Sequence, residues 1–146
     1  MKISAKSKYA LFAVLVLAEN YRKELPLSVH KIAEKYGIGD QCGISENFMI
    51  QILAKLKKAG MVESARGSFG GYRLNRSPER ITIGEILAIM ESDSKEKKQK
   101  VFSSEEEMID RIFAEAEDQK RQYLSDITVS ALLLRIENEN AGDYSI

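Results

Sequence analysis

The chain has 146 residues, 44% of them hydrophobic and 30% charged, with 22 Lys/Arg balanced by 22 Asp/Glu, one cysteine and one histidine. This length supports one core with an extension rather than two large domains. No apolar run approaches the roughly 20 residues of a membrane span, and a single thiol, Cys42, excludes an intrachain disulfide and a chain-internal multi-cysteine metal site.

The neutral total hides a division. Positions 1–80 hold 14 basic and 7 acidic residues, and positions 81–146 hold 8 and 15. A basic half suits contact with a polyanion, while the acidic half has another task. Met1-Lys2 leads directly towards a helix without a cleavable apolar segment, and together with the lone thiol this points to a reducing cytoplasm.

In chain order, Lys2 to Lys8 form a short basic lead-in. A first helix is predicted from about Lys8 to Asn20, apolar nearly all round and therefore a core helix. Pro26-Leu27 reads as a short strand. Ser28 is an N-cap for a second helix burying Val29, Ile32, Ala33 and Tyr36, and Gly37 is its stop. From Ser45 to Ala59 the apolar residues Phe48, Met49, Ile52, Leu53 and Leu56 fall at helical spacing, and Gly60 ends the run.

Met61-Val62 starts a strand, Arg66-Gly67-Ser68-Phe69-Gly70-Gly71 makes a turn, and Tyr72-Arg73-Leu74 returns. A helix able to enter a major groove, followed by a flexible cationic hairpin, is the pattern of a winged helix-turn-helix. Glycines allow a backbone close to phosphate or the minor groove, and Arg66 and Arg73 bring charge there.

Thr82-Ile83-Gly84-Glu85 is a capping-box pattern opening a helix through Met90, and residues 92–103 read as a flexible polar loop. Ser103-Ser104 before Glu105-Glu106-Glu107 opens a long helix with carboxylates at the positive end of its dipole. That helix carries a one-sided stripe of Met108, Ile109, Ile112, Phe113, Ala116, Gln119 and Tyr123. Lying beyond the winged core, the stripe needs a cover: either it folds back on its own domain or, as expected here, the same helix of a second copy covers it in a two-fold dimer. Thr128 caps a last short helix, and the tail from Glu137 is expected to fray.

Catalytic patterns are missing. His30 and Cys42 have no partner in a triad-like context, the carboxylates lie in helix-surface runs, and the Gly-rich turn sits between strands rather than opening a helix as a phosphate loop does. An enzyme and a resident cofactor or metal are therefore not expected.

The order of these elements resembles the Rrf-type bacterial transcription regulators, the family of IscR, NsrR and CymR. The resemblance rests on Ile3-Ser4-Ala5-Lys6-Ser7-Lys8-Tyr9-Ala10, Ser45-Glu46-Asn47-Phe48-Met49-Ile50-Gln51, Lys57-Lys58-Ala59-Gly60-Met61-Val62, the wing from Arg66 to Leu74, Ile81 to Ile86, and Ile127-Thr128. It implies a homodimeric DNA-binding regulator, usually a repressor.

Three departures qualify it. Residues 91–107, where many members hold an iron–sulfur cluster on three cysteines, contain none, so the chain is similar to the cluster-free branch typified by CymR. Ile50 stands where members commonly carry Glu; a carboxylate can accept from cytosine, whereas Ile can only meet a thymine methyl or pack. Gly37-Ile38 recurs as Gly43-Ile44, so about six residues, Cys42 among them, are inserted in the turn.

The resulting expectation is a mainly α fold with a small β-wing. A winged helix-turn-helix domain spans residues 1–91, a flexible loop 92–103, and a dimerisation helix with a short terminal helix 104–146. Double-stranded DNA is met through recognition helix 45–59 and wing 62–74. Lys6, Lys8 and Tyr9 are assigned to phosphates; Ser45, Asn47 and Gln51 to base edges or nearby phosphates; Arg66 and Arg73 to the wing; and Gly67, Gly70 and Gly71 to its close approach. Met108, Ile109, Ile112, Ala116 and Tyr123 are assigned to the dimer. Two other readings stand beside this one: a winged-helix protein-interaction adaptor, and a thiol-based sensor in which Cys42, close to Lys31 and Lys35, has a depressed pKa. A regulatory protein or small-molecule effector is the remaining candidate partner.

Overall fold

Helix α1 (Ala5–Glu19) runs through the middle of the molecule, touching α2 (Val29–Lys35), α3 (Glu46–Lys58), α4 (Ile83–Glu91), α6 (Val129–Asp143) and strand β2 (Gly71–Leu74). The remaining elements are β1 (Val62–Ala65), a 3-10 turn at Pro78–Arg80, and α5 (Ser104–Ser125). The computed structural model describes residues 2–23, 25–35, 45–93, 100 and 102–143; Cys42, the Gly37 stop and the centre of the 92–103 loop lie outside them.

The central place of α1 follows from its composition. Ala10, Ala13, Val14, Leu15, Val16 and Leu17 are all buried, which requires neighbours on several sides rather than one. The helix starts three residues earlier than the expected Lys8, because Ser4 caps it. The Ser4 hydroxyl oxygen accepts from the Ser7 backbone N–H at 3.2 Å and donates to the buried Ser7 hydroxyl at 3.0 Å, satisfying a polar group that would otherwise be costly in the core.

The hairpin is antiparallel, with Val62 opposite Leu74 and Ala65 opposite Gly71. Both members of the first pair are buried, so the base of the hairpin is anchored in the core while its far end projects. Leu27 adds a third short rung as expected: its N–H donates to the Tyr72 carbonyl at 3.0 Å, and the Tyr72 N–H donates back at 2.7 Å.

Thr82 caps α4 by accepting from the Glu85 N–H at 3.2 Å, but the predicted capping box is only half formed. The Glu85 carboxylate accepts from Arg76 at 2.5 Å, binding α4 to the segment that leaves the wing. After α5 the chain returns to the core. Ile83 N–H donates to the Ile127 carbonyl at 2.9 Å, Val129 N–H donates to that of Ile81 at 2.8 Å, and Ile127 and Val129 are buried. The crossing is tight: a side chain at Gly84 would strike Ser125 at the end of α5.

Helix α6 is longer than the short helix expected, and its residues from Glu137 remain helical to Asp143 instead of fraying. Ala, Glu and Asn pose no barrier to continuation, and the first helix breaker after Thr128 is Gly142.

Candidate nucleic-acid interface

Helix α3 presents two different faces. Met49, Ile52, Leu53 and Leu56 are fully buried, and the opposite side carries Asn47, Gln51, Ala54 and Lys58, all exposed, with Ile50 on its edge. The helix ends where its sequence says it should. Ser45 caps it by accepting from the Phe48 N–H at 3.2 Å, so the hydroxyl assigned to DNA already has a structural duty.

Neighbouring elements hold this helix at both ends. At the start, His30 Nδ1 on α2 lies 2.9 Å from a Glu46 carboxylate oxygen, spanning the helix-turn-helix angle. In its second half, Lys55 donates to the Met90 carbonyl at 3.0 Å and to Asp93 at 2.7 Å, closing the C-terminal end of α4 onto α3. The Asp93 carboxyl is held below the usual carboxylate value, first by that hydrogen bond and then by the Lys55 charge, with smaller help from Lys6 and Lys58. Lys57 donates to Ser64 Oγ at 2.7 Å and braces the wing. These ties join residues 16 or more positions apart, Lys57–Ser64 excepted, and composition carries no signal for them.

Tyr9 is half-buried between Phe12 and Phe48, with ring centroids 5.8 and 6.4 Å away in edge-on arrangements. It therefore sets the spacing of α1 and α3, whatever else its hydroxyl contacts. Lys8 is exposed and Lys6 partly buried.

In the wing, the Gly70 N–H donates to the Gly67 carbonyl at 2.9 Å and closes the turn. Gly71 has a φ of 151°, and any side chain there would collide with the Leu27 backbone carbonyl. The third rung of the sheet therefore demands glycine at this position independently of any ligand. Arg73 lies 3.5 Å from Glu63, its cross-strand neighbour, which partly neutralises it. Arg66 is exposed and makes no ion pair among the described residues. Phe69 at the tip is 77% exposed, a feature that its glycine neighbours masked in the sequence.

Away from this surface, none of the 22 residues of α5 is buried. Met108, Ile109, Ile112 and Tyr123 are all more than half exposed, and Ala116 is exposed on the same side. Among the described residues, no helix is long and apolar enough to cross a membrane.

The family profile described as "Rrf2: Iron-dependent Transcriptional regulator" matches residues 3–135. The chain is similar to the HTH-type transcriptional regulator CymR of Bacillus subtilis (strain 168), 37% identical over 91 residues that make up 62% of this chain and 61% of the relative. It thus spans less than two thirds of that relative's length. Among solved structures, IscR of T. potens matches with a TM-score of 0.72 at 29% identity, covering 100% of this chain and 92% of that one. CymR of B. subtilis, described as its global cysteine regulator, also matches at 0.72 and 29%, covering 92% and 98%. The mostly helical fold with a two-stranded wing is that of these winged-helix regulators.

Among the described residues, the iron in the family's description finds no matching donor set. Residues 91–107 contain no thiol, and the described residues bring no three His, Cys, Asp or Glu side chains together.

Proposed function

The chain belongs to the Rrf2 family of transcriptional regulators, and from that premise we propose that it is a homodimeric, sequence-specific DNA-binding regulator, acting as a repressor at a palindromic operator in the bacterial cytoplasm. The observation that carries the reading is the exposed polar stripe Asn47, Gln51 and Lys58 on a helix braced at both ends, beside a projecting hairpin with an unpaired Arg66 among the described residues. Asn and Gln can make paired hydrogen bonds to adenine in a major groove, and Ile50 beside them suits a thymine methyl. Lys6, Lys8, Lys58 and Arg66 supply phosphate contacts, which carry affinity but little sequence information.

The dimer follows from α5. Ile109, Ile112 and Ala116 recur at three- and four-residue steps, with Tyr123 two turns further on, along an uncovered face, and the matching helix of a second copy would bury them. A two-fold dimer presents two reading helices to two half-sites.

Gel shifts against a randomised duplex pool, followed by a salt titration, test the proposal. An enriched palindrome and a falling affinity with salt are expected. Arg66→Ala should weaken all sequences together and reduce the salt slope by about 1, whereas Gln51→Ala should cost about 1–3 kcal/mol and change base preference. Absence of both an enriched site and a salt slope would favour the protein-interaction adaptor.

A further inference from the structure

We propose that Phe69 is a specificity-determining residue that enters the minor groove beside each half-site and reads the ease with which a base step opens. The inference rests on the DNA-binding reading above and adds a residue and a mode of recognition to it.

The ring is 77% exposed, although nothing in the core or on the α5 stripe requires it at this place. Isolated exposed apolar residues are ordinary on protein surfaces, but the surroundings of Phe69 are not. Gly67, Ser68, Gly70 and Gly71 flank it, so no bulky side chain widens the tip. The Gly67–Gly70 hydrogen bond closes the turn beneath it, and the buried Val62–Leu74 pair anchors the base of the hairpin. The result is a slender, anchored finger ending in one aromatic ring, with Arg66 immediately before the turn.

A minor groove is about 6 Å wide and strongly negative where it narrows. Arg66 supplies the matching charge, and the finger supplies the shape. Phenylalanine has no donor or acceptor, so it cannot discriminate base edges by hydrogen bonding. It can exclude water from the sugars and lean into a partly unstacked step, as apolar wedges do. Pyrimidine–purine steps unstack most readily, so the ring favours them through deformation rather than direct readout.

The test compares wild type, Phe69→Ala and Phe69→Leu on two operators taken from the selected pool. One carries a TA or CA step where the wing lies, and the other a stiff A-tract. Because the side chain is exposed, the variants should melt with the wild type, which thermal denaturation checks. Phe69→Ala should lose about tenfold in affinity on the flexible operator and much less on the stiff one, with an unchanged salt slope, and Phe69→Leu should fall between. 2-Aminopurine placed at the step should brighten when wild type binds and stay quenched with Phe69→Ala. Equal affinity, step preference and fluorescence for wild type and Phe69→Ala would overturn the role of Phe69 while leaving DNA binding intact. Failure of wild type to bind any duplex would instead overturn the DNA-binding reading, and this inference with it.

Discussion

Helices α3 and α5 carry apolar residues at the same helical spacing, yet Met49, Ile52, Leu53 and Leu56 of α3 are fully buried while none of the 22 residues of α5 is. The difference lies in what surrounds each helix. Helix α3 has α1, α2, α4 and β1 against it, so its stripe is satisfied inside the chain and its polar side is free to meet a ligand. Helix α5 meets α4 near its C-terminal end, where Ser125 lies against Gly84, and its Met108–Tyr123 stripe remains in water. Amphipathicity thus states that a face needs burial, and the environment decides whether the cover is intramolecular or a second copy.

The sharpest way to break this contrast is to cut into each stripe. Ile52→Ala removes a fully buried side chain from the core and should destabilise folding by about 2–5 kcal/mol, read from denaturant midpoints. Ile112→Glu alters a position 57% exposed within the chain, so it should leave secondary structure in place. It should nevertheless raise the dissociation constant of the proposed dimer about a hundredfold, the cost of a charge in a hot spot of roughly 2–3 kcal/mol, as measured by light scattering across a dilution series. A dimer unaffected by Ile112→Glu would place the interface elsewhere.

A smaller effect sharpens the account of how α3 is braced. The Asp93 carboxyl, lowered by the Lys55 hydrogen bond and charge, is easier to ionise folded than unfolded. Its contribution is therefore present above the ordinary aspartate value of about 4 and lost as pH falls through the lower folded value. Asp93→Asn should reduce the unfolding midpoint near neutrality, and the gap from wild type should close in strong acid. Lys55 has only 17% of its side chain exposed, so Lys55→Ala should cost more than Asp93→Asn by also leaving the Met90 carbonyl without this partner.

Much of the fold could be read from local chemistry. Ser45 and Gly60 bracket α3, Ser28 and Thr82 cap their helices, and the glycine spacing from Gly67 to Gly71 marks the hairpin, because caps and turns are decided by residues a few positions apart. The boundaries that differ lie beyond the apolar period: Ser4 caps α1 ahead of Lys8, and Ala, Glu and Asn carry α6 on to Asp143 where a chain end is expected to fray.

The candidate site was legible to a different depth. The exposed side of α3 followed from periodicity, since burying Met49, Ile52, Leu53 and Leu56 turns Asn47 and Gln51 outward by helical geometry alone. What each polar residue does there depended on partners distant in sequence. Glu85 serves Arg76 rather than completing its capping box, Tyr9 spaces α1 from α3, and Gly71 makes room for Leu27. Local sequence determined the elements and their apolar faces, because hydrogen-bond geometry and side-chain period act within a few residues. Only the tertiary structure decided which charges are spent on bracing, which aromatic ring is left at the tip of the wing, and which stripe still lacks a cover, because those outcomes depend on groups that folding alone brings within reach.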